Sequence, residues 1–386
     1  MEYREHKGLR TSEVGIGCYA LGGAYGSVDV DGFKDMLRRA YELGVSFFDT
    51  ADAYGDAERL LGEALRPFRD EVLIATKVGI REGARADLSA AYVRAACEAS
   101  LRNLGTGCID LYQVHFDDPG TPVEETVGAL EDLVRTGKVR HYGVGHLPVE
   151  RLATYFRVGH VSTALMELSA VARSALTGSL ALCRHHDVGA IAFSVTGRGL
   201  LTGKIGPDTR FEEGDIRRLD PLFQRERFTS GLRVAGRMAE LGARHGRSPV
   251  QVAIAWVLAQ PGVICALTGP SSVAHLEENV VASGWALPVG ELAVLDATFQ
   301  EEDAWLAGEQ WATVVHILSE PLPPEPDEAF TSLVYACETS VQLGLISESG
   351  ILPLFQELFA LREETGPEAG AKLAEMQQAL WNLLEP

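Results

Sequence analysis

The stretch IDLYQVHFDDPGTPVEETVGALEDLVRTGKVRHYGVG (residues 109–145) contains the pattern that decides the fold. It begins and ends with a short run rich in apolar residues, at 109–115 and 139–145. Between these runs, residues 122–137 place apolar side chains at the 3.6-residue spacing of an amphipathic helix. Short apolar runs are typical of strands buried on both faces of a parallel sheet. The stretch therefore predicts a strand, a crossover helix and a parallel strand.

The same alternation recurs on both sides of this stretch. Six further short apolar runs lie at 14–17, 46–50, 72–77, 162–168, 189–194 and 263–269. Eight strands alternating with helices over about 270 residues predict an α/β fold of the (β/α)8 barrel type. A doubly wound open sheet is the alternative, but its first strand normally leads into a GxGxxG turn. GIGCYALGG (15–23) lacks that spacing, so the barrel is the expected fold.

The acidic residues are distributed unevenly along the chain. The 386 residues hold 54 acidic and 34 basic side chains, a net charge of −20, and residues 299–386 alone hold 16 acidic and 2 basic ones. This asymmetry predicts two parts, a barrel domain over 1–298 and an all-α acidic extension over 299–386 with a Pro-rich break at 321–326. The extension has two interpretations: a folded appendage with a solvated acidic exterior, or a surface for a protein partner or self-association.

The composition excludes several classes of protein. A strongly negative chain is unsuited to binding nucleic acid or an anionic membrane surface. No apolar run reaches the roughly 18–20 residues of a membrane-spanning helix, and MEYREHKGLR (1–10) lacks the apolar stretch of a signal peptide. The six cysteines are far apart and form no CxxC pair, which favours reduced thiols. We therefore expect a cytoplasmic globular protein without a metal site.

Polar side chains occur where the predicted strands end. Asp49, Lys77 and His115 stand at the ends of the second, third and fourth strands, and Tyr54 lies in the loop after Asp49. In a parallel barrel the C-terminal ends of the strands converge on one site. An inert buried ion pair between Lys77 and Asp49 is the structural alternative to an active site. Because perturbed charged groups cluster at functional sites, we expect an active site.

Several of these segments resemble the signatures of the aldo-keto reductase family, in the same order and at the same spacing. The matching segments are FFDTADAYG (47–55), IATK (74–77), IDLYQVH (109–115), TPVEETVGALEDLVRTGKVRHYGV (121–144) and GRGLLTGK (197–204). The resemblance covers about residues 1–298. It implies a barrel that binds NADP(H), with NAD(H) as the alternative, and that reversibly reduces a carbonyl compound to an alcohol.

The resemblance also implies a role for each of four residues. Tyr54 would protonate the carbonyl oxygen, and Lys77 would lower the pKa of Tyr54. Asp49 would hold Lys77 in place, and His115 would orient the carbonyl group. The substrate, a small carbonyl compound or alcohol, would lie in a pocket lined by Tyr19, Tyr54, His115 and Phe116.

Cofactor contacts are implied in the same way. The loops after the seventh and eighth strands, together with a helix N-terminus, would bind the cofactor phosphates. Phe193 would stack on the nicotinamide, and Glu278 and Asn279 would contact adenine. The full implied set is Asp49, His146, Phe193, Ser194, Thr196, Gly197, Leu200, Gly269, Ser271, Ser272, His275, Glu278 and Asn279.

The chain departs from the family pattern at three places. The usual Ser-Asn after the fifth strand is Gly145-His146, and the usual Gln of the sixth strand is Leu165. These positions normally bind the nicotinamide carboxamide, and here only His146 has a side chain that can hydrogen-bond. The usual Arg or Lys at the 2′-phosphate is replaced by Ser271 and His275, which leaves the choice between NADP and NAD open.

Three functions are consistent with these residues. A carbonyl-reducing oxidoreductase is expected from the four polar residues at the strand ends. The altered carboxamide positions suggest a non-redox acid/base enzyme, such as a dehydratase or an epimerase. The long acidic extension suggests a cofactor-binding regulatory protein that acts through residues 299–386.

Overall fold

A computed structural model describes residues 1–23, 29–81, 86–361 and 367–384. Its strands are β1 (Tyr3–His6), β2 (Leu9–Ser12), β3 (Val14–Gly17), β4 (Phe47–Asp49), β5 (Leu73–Val78), β6 (Ile109–Val114), β7 (Val139–Gly145), β8 (Thr163–Glu167), β9 (Gly189–Phe193) and β10 (Val263–Thr268). Strands β3 to β10 form a closed barrel in chain order, in which every neighbouring pair is parallel. Each predicted run corresponds to one of these strands, which confirms the (β/α)8 barrel.

Helices follow the barrel strands and then continue to the end of the described chain. They are α1 (Val30–Glu42), α2 (Ala57–Leu65), α3 (Ala90–Leu104), α4 (Val123–Arg135), α5 (Val149–Val158), α6 (Ser179–His186), α7 (Arg225–Arg244), α8 (Pro249–Leu258), α9 (Val273–Val280), α10 (Val289–Ser319), α11 (Pro326–Gln342), α12 (Glu348–Ala360) and α13 (Pro367–Leu384). The stretch after residue 300 is helical, as the sequence predicts. No helix in the described ranges is long and apolar enough to cross a membrane.

The barrel is filled by the apolar side chains that its strands direct inward. These buried residues include Phe47, Ala75, Leu111, Leu165, Ile191 and Leu267. A hairpin of β1 and β2, which the sequence analysis did not predict, adds Leu9 to the same cluster. Thr11 donates from Oγ1 to the Ile264 carbonyl oxygen at 3.1 Å, so the hairpin lies against the N-terminal end of β10. The interior is therefore a packed core, which leaves the C-terminal strand ends for chemistry.

The chain divides into two compact units. One unit comprises Met1–Lys204 and Met238–Leu292 and contains the barrel. The other comprises Ile205–Arg237 and Ala293–Pro386. Its core is formed by the apolar faces of α10 to α13, with Tyr335 fully buried and donating a hydrogen bond to Glu226 at 2.6 Å. Helix α10 runs through residue 298 without a break. The predicted boundary between residues 298 and 299 therefore lies within a helix.

Candidate active site

A buried ion pair lies at the C-terminal end of the barrel. Lys77, in β5, is 1% exposed and pairs with the carboxylate of Asp49, the last residue of β4. The ammonium also donates to the Thr50 carbonyl oxygen at 2.7 Å. Gln113 of β6 donates from Nε2 to the second oxygen of Asp49 at 3.0 Å. Both charges are thus hydrogen-bonded as well as paired, as burial of charged groups requires.

Tyr54 and His115 lie beside this ion pair. Tyr54 is in the turn between β4 and α2, and its Oη atom is 3.4 Å from Nε2 of His115. The Lys77 ammonium is 5.0 Å from the centre of the Tyr54 ring. His115 directly follows β6 and is buried. The structure therefore brings together all four side chains that the sequence analysis selected from the strand ends.

The pKa of Tyr54 is raised, because burial favours the neutral phenol. Lys77 acts in the opposite direction, and Asp49 adds to the increase. Lys77 thus has the lowering effect on the Tyr54 pKa that the sequence analysis expected, but burial outweighs it and the net direction is upward. Lys77 itself keeps its charge: burial alone would lower its pKa, but Asp49 and Tyr54 outweigh burial and raise it. At neutral pH the pair consists of a phenol and an ammonium, which is the state that a proton donor needs.

His115 is neutral at neutral pH. Burial is the main cause that lowers its pKa well below the usual value, and Lys77 and His146 add to the effect. Its Nδ1 atom is buried without a hydrogen-bond partner among the described residues. A buried N–H without a partner is rarer than a buried acceptor without one. We therefore assign the proton to Nε2, which directs an N–H donor toward the Tyr54 hydroxyl.

His146 extends the cluster from β7 toward β9. Its backbone is left-handed, with φ at 48°, and its ring centre lies 4.6 Å from that of Phe116 and 4.7 Å from that of Phe193. His146 is an exposed residue, and loss of solvation around its ring, followed by the charges of Lys77 and Arg198, lowers its pKa. A neutral imidazole has one donor and one acceptor nitrogen, which fits a carboxamide group.

Gly145 and Leu165 occupy adjoining space in the barrel interior. Leu165 is buried in the apolar core, and a Cβ added to Gly145 would lie 3.1 Å from the Cβ of Leu165. Contacts this close require the neighbour to shift, so the absence of a side chain at 145 and the leucine at 165 fit each other. Neither side chain can hydrogen-bond. Among the three altered carboxamide positions, His146 alone retains a polar side chain.

The first predicted phosphate loop follows β9 and is folded on itself. Ser194 and Gly197 have left-handed backbone, with φ of 53° and 58°. The Gly197 N–H donates to the Ser194 carbonyl at 2.7 Å, and the Leu200 N–H donates to the Gly197 carbonyl at 3.0 Å. Thr196 accepts from the backbone of residue 199 at 3.2 Å. These bonds hold the predicted cofactor residues in successive turns at the edge of the barrel.

The second predicted phosphate loop leads from β10 into α9. A Cβ added to Gly269 would meet nothing within 4 Å, so this side of the loop is open. Ser272 caps α9 by accepting from the His275 N–H at 3.2 Å, and the Ser271 hydroxyl is 3.0 Å from Nδ1 of His275. Hydroxyls at a helix N-terminus fit a phosphate group. No arginine or lysine stands at these positions to select a 2′-phosphate.

The predicted adenine contacts lie on α9. Asn279 is buried, and the carboxylate of Glu278 is 3.8 Å from the ammonium of Lys204. The backbone carbonyl of Glu278 accepts from Nε2 of Gln251 at 3.0 Å. Helix α9 is thereby fixed to α8. The amide of Asn279 and the carboxylate of Glu278 offer the donor and acceptor groups that an adenine edge requires.

Sequence reasoning missed two polar groups near the site. Gln113 is the parallel-register neighbour of Lys77, so the alternation of inward-facing residues in β6 could have identified it. Glu167, at the end of β8, binds Arg198 with two hydrogen bonds of 2.7 and 3.3 Å. This pair joins a strand end to the loop after β9, and it has no local sequence signal because its partners are distant in the chain.

The sequence and the fold agree with known proteins. A model of the aldo/keto reductase family matches residues 13–298. An aldo-keto reductase of Strobilurus tenacellus is 35% identical, covering 76% of this chain and 90% of the relative. The aldo-keto reductase YhdN of Bacillus subtilis is 33% identical, covering 74% and 90%. The protein belongs to the aldo-keto reductase family and is an oxidoreductase.

Solved structures show the same relationship. The glycerol dehydrogenase of Gluconobacter oxydans superposes with a TM-score of 0.72 at 29% identity, covering 78% of this chain and 95% of that one. A Bacillus halodurans aldo-keto reductase in its holo form gives a TM-score of 0.66 at 26% identity, covering 77% and 96%. The matched family region ends before most of the C-terminal helices.

Proposed function

We propose that this protein reduces an aldehyde or ketone with NADP(H), and oxidises the corresponding alcohol in reverse, with Tyr54 as the proton donor. The observation that supports this proposal is the cluster of Tyr54, His115 and the buried Lys77–Asp49 pair. A nicotinamide cofactor supplies the hydride that the carbonyl carbon accepts. The chain's own residues then have to position the carbonyl and deliver a proton to its oxygen.

Each member of the cluster has a part in that proton transfer. Tyr54 donates its Oη proton to the carbonyl oxygen, and the Lys77 ammonium stabilises the phenolate that forms. Asp49 and the Thr50 carbonyl keep the ammonium charged and fixed in place. His115, neutral with its proton on Nε2, donates a hydrogen bond that orients the carbonyl oxygen. Its lowered pKa prevents it from competing as an acid.

The cofactor would be held by two loops and one imidazole. We assign the carboxamide to His146, the nicotinamide face to Phe193, and the phosphates to the loops after β9 and β10. NADP(H) is proposed from the family, and NAD(H) is the alternative because Ser271 and His275 stand at the 2′-phosphate. All residues with an assigned role lie within 1–298, the proposed barrel domain. We propose a cytoplasmic location for the protein.

A non-redox acid/base reaction is the second candidate, and one observation favours it. Gly145 and Leu165 remove two hydrogen-bonding side chains from the carboxamide site. A weakly held nicotinamide would suit a dehydratase or epimerase that uses only the acid/base pair. In that case a substrate would be converted without net consumption of cofactor.

One experiment distinguishes the two candidates. Purified protein is incubated with a panel of aldehydes and ketones and with NADPH, or in parallel NADH, deuterated at the transferable position. Carbonyl reduction predicts one deuterium on the former carbonyl carbon and one oxidised cofactor per product. A product without deuterium, formed without cofactor oxidation, would support the acid/base candidate. Absence of any cofactor oxidation with the whole panel would contradict the proposed function.

A further inference from the structure

Asp52 provides a second carboxyl group close to the catalytic ion pair. It lies in the turn after β4, two residues before Tyr54. The backbone of this turn continues the pairing of β4 with β5. The Thr50 N–H donates to the Ala75 carbonyl at 2.9 Å, and the Asp52 N–H donates to the Lys77 carbonyl at 3.4 Å. Asp52 is therefore attached to the strand residue that carries the active-site ammonium.

The Asp52 carboxyl group lies among ionisable groups from four elements. They are Glu58 of α2, Lys77 of β5, Tyr92 of α3 and Tyr112 of β6. Burial raises the pKa of both phenols, so Tyr92 and Tyr112 are neutral at neutral pH. Among these four groups, Lys77 alone is a cation. A change in the charge of Asp52 is therefore felt by the same ammonium that serves the active site.

Asp52 and Glu58 differ in their hydrogen-bond partners. Glu58 is 1% exposed, and its two oxygens accept from Oγ1 of Thr76 at 2.6 Å and from Nδ2 of Asn103 at 2.9 Å. The Oδ1 atom of Asp52 is buried without a hydrogen-bond partner among the described residues. A buried carboxylate oxygen that no donor contacts is costly. Of the two carboxyl groups, Asp52 is thus the one whose negative charge its surroundings disfavour.

These surroundings place the ionisation of Asp52 in the neutral pH range. Burial raises its pKa to about 7, and the charge of Glu58 adds to the increase, while the Ala53 N–H and Lys77 act against it. An ionised Asp52 adds a negative charge near Lys77, which makes a phenolate at Tyr54 less favourable. The transfer of the Tyr54 proton is therefore easier while Asp52 is protonated.

We propose that Asp52 is a positioning residue for the proton transfer, and that its ionisation slows carbonyl reduction through Lys77. This inference rests on the carbonyl reduction proposed above. Protonated Asp52 leaves Asp49 as the carboxylate that balances the ammonium, and ionised Asp52 adds a second one. Asp52 exchanges its own proton with the solvent as the pH changes, and Tyr54 remains the donor to the carbonyl oxygen.

The first test is the pH dependence of a single turnover. Stopped-flow absorbance follows NADPH oxidation with the aldehyde of the above panel that is reduced fastest, from about pH 5.5 to about pH 8.5. The rate of wild type should fall by about 3- to 10-fold as the pH rises, which corresponds to up to about one unit in the pKa of Tyr54. The midpoint should lie near pH 7. His115 and Tyr54 do not titrate in this interval, because their pKa values are shifted away from it.

Three variants separate Asp52 from its neighbours. Asp52→Asn keeps the shape of the side chain, and its rate should not change across the interval. Glu58→Gln removes the like charge beside Asp52, so the midpoint should move to lower pH by up to about one unit. Asp56→Asn is the matched control from the same loop, since its side chain is 73% exposed and pairs with Arg59 at 2.6 Å. It should keep the wild-type profile. A general loss of folded protein would lower the rate at every pH and leave the midpoint in place.

The second test observes the titration without catalysis. Infrared spectra of wild type minus Asp52→Asn should show the carbonyl stretch of a protonated carboxyl group that disappears with a midpoint near pH 7. A wild-type fall in rate that persists in Asp52→Asn, or a difference spectrum without this band at about pH 6, would overturn the role of Asp52 while leaving carbonyl reduction in place. A wild type that reduces no member of the panel at any pH would instead remove the proposed function, and the role of Asp52 with it.

Discussion

Among the described residues, each end of the barrel contains a buried ion pair, and the groups beside the two pairs differ. We call the C-terminal end of the barrel strands the upper end and their N-terminal end the lower end. At the C-terminal end, Lys77 pairs with Asp49 beside a phenol of raised pKa and exposed aromatic rings. At the N-terminal end, the fully buried Asp110 pairs with Arg69 at 2.7 Å and Arg140 at 3.0 Å. A buried charge on a barrel strand is thus not sufficient evidence of catalysis, because the adjoining groups decide its role.

The hydrogen-bond partners explain this difference. Asp110 also accepts the Ile74 backbone N–H at 2.9 Å, and Arg69 donates to the Cys108 carbonyl at 2.6 Å. These hydrogen bonds connect β5 and β6 to the turn before β5. The lower pair, formed by Asp110 and its arginines, therefore stabilises the backbone. The upper pair instead has a hydroxyl and an imidazole next to it that can exchange protons. Stability should therefore depend on both pairs, and activity only on the upper one.

The largest expected effect is on activity at the upper end. Tyr54→Phe removes only the hydroxyl, so kcat/KM for carbonyl reduction should fall by about 100- to 10,000-fold, the usual contribution of a general acid. The Tyr54 ring keeps its contacts with Tyr19 and His115, so the urea unfolding midpoint should hardly change. Steady-state kinetics and urea titration of the same preparation measure both quantities. Activity within tenfold of wild type would show that another group donates the proton.

The upper ion pair should affect both properties at once. Lys77→Met leaves the Asp49 carboxylate buried without a cation, which should lower the free energy of unfolding by about 3–5 kcal/mol. Carbonyl reduction should also be lost, because no cation remains to stabilise the phenolate. Adding Asp49→Asn removes the isolated charge and should recover part of the stability but none of the activity. Recovery of activity in the double variant would contradict the role assigned to Lys77.

The lower ion pair should affect stability alone. Asp110→Ala should lower the free energy of unfolding by about 3 kcal/mol, the smaller end of the range for a broken buried pair, because the arginines left behind reach solvent. The kcat/KM of the folded enzyme should stay within about twofold of wild type. Arg140→Ala is the control: its side chain is largely exposed, so the loss should stay under about 1 kcal/mol. A fall in kcat/KM of Asp110→Ala without a loss of stability would contradict the purely structural role assigned to the lower pair.

The sequence predicts the upper end well because its residues follow from strand register. Asp49, Lys77 and His115 each end an apolar run, and parallel strands bring such ends together. The pKa direction of Tyr54 could not be read in this way, since it depends on how completely the surrounding chain removes water. The pairing of Glu167 with Arg198 depends on how the loop after β9 folds, which no local pattern reveals.

Other features could not be predicted from the sequence, because their pattern is short or because they depend on contacts between residues that are distant in the chain. The eight barrel strands are recognisable because both faces are buried and their residues are apolar. The β1–β2 hairpin is not, because Tyr3–His6 alternates exposed and partly buried polar residues and Leu9 supplies the apolar anchor in the barrel core. The grouping of residues 205–237 with the C-terminal helices results from contacts between distant segments, which a single sequence does not display.

The smallest expected effect is on the pH dependence of stability, which should differ between a histidine at the upper end and one at the lower end. His115 has a pKa lowered well below its usual value, mainly by burial, and His141 of β7 has a pKa lowered by the same cause, partly offset by Asp110. Below about pH 6.5 the unfolded chain binds a proton at each of these two histidines. The folded protein binds the same proton more weakly, so protonation favours the unfolded state. Stability is therefore fully present above that pH and is lost as the pH falls toward the folded pKa.

His115→Asn should remove this loss at the upper end. The slope of unfolding free energy against pH should become shallower by up to about 1.4 kcal/mol per pH unit, the limit for one proton, in urea titrations below about pH 6.5. His141→Asn should flatten the curve of unfolding free energy against pH over a narrower pH interval. The pKa of His141 is lowered less than that of His115, so its effect on stability stops growing at a higher pH. Equal flattening by the two variants would mean that His115 is no more protected from protonation than His141. That result would contradict the assignment of a neutral imidazole, with its proton on Nε2, to His115.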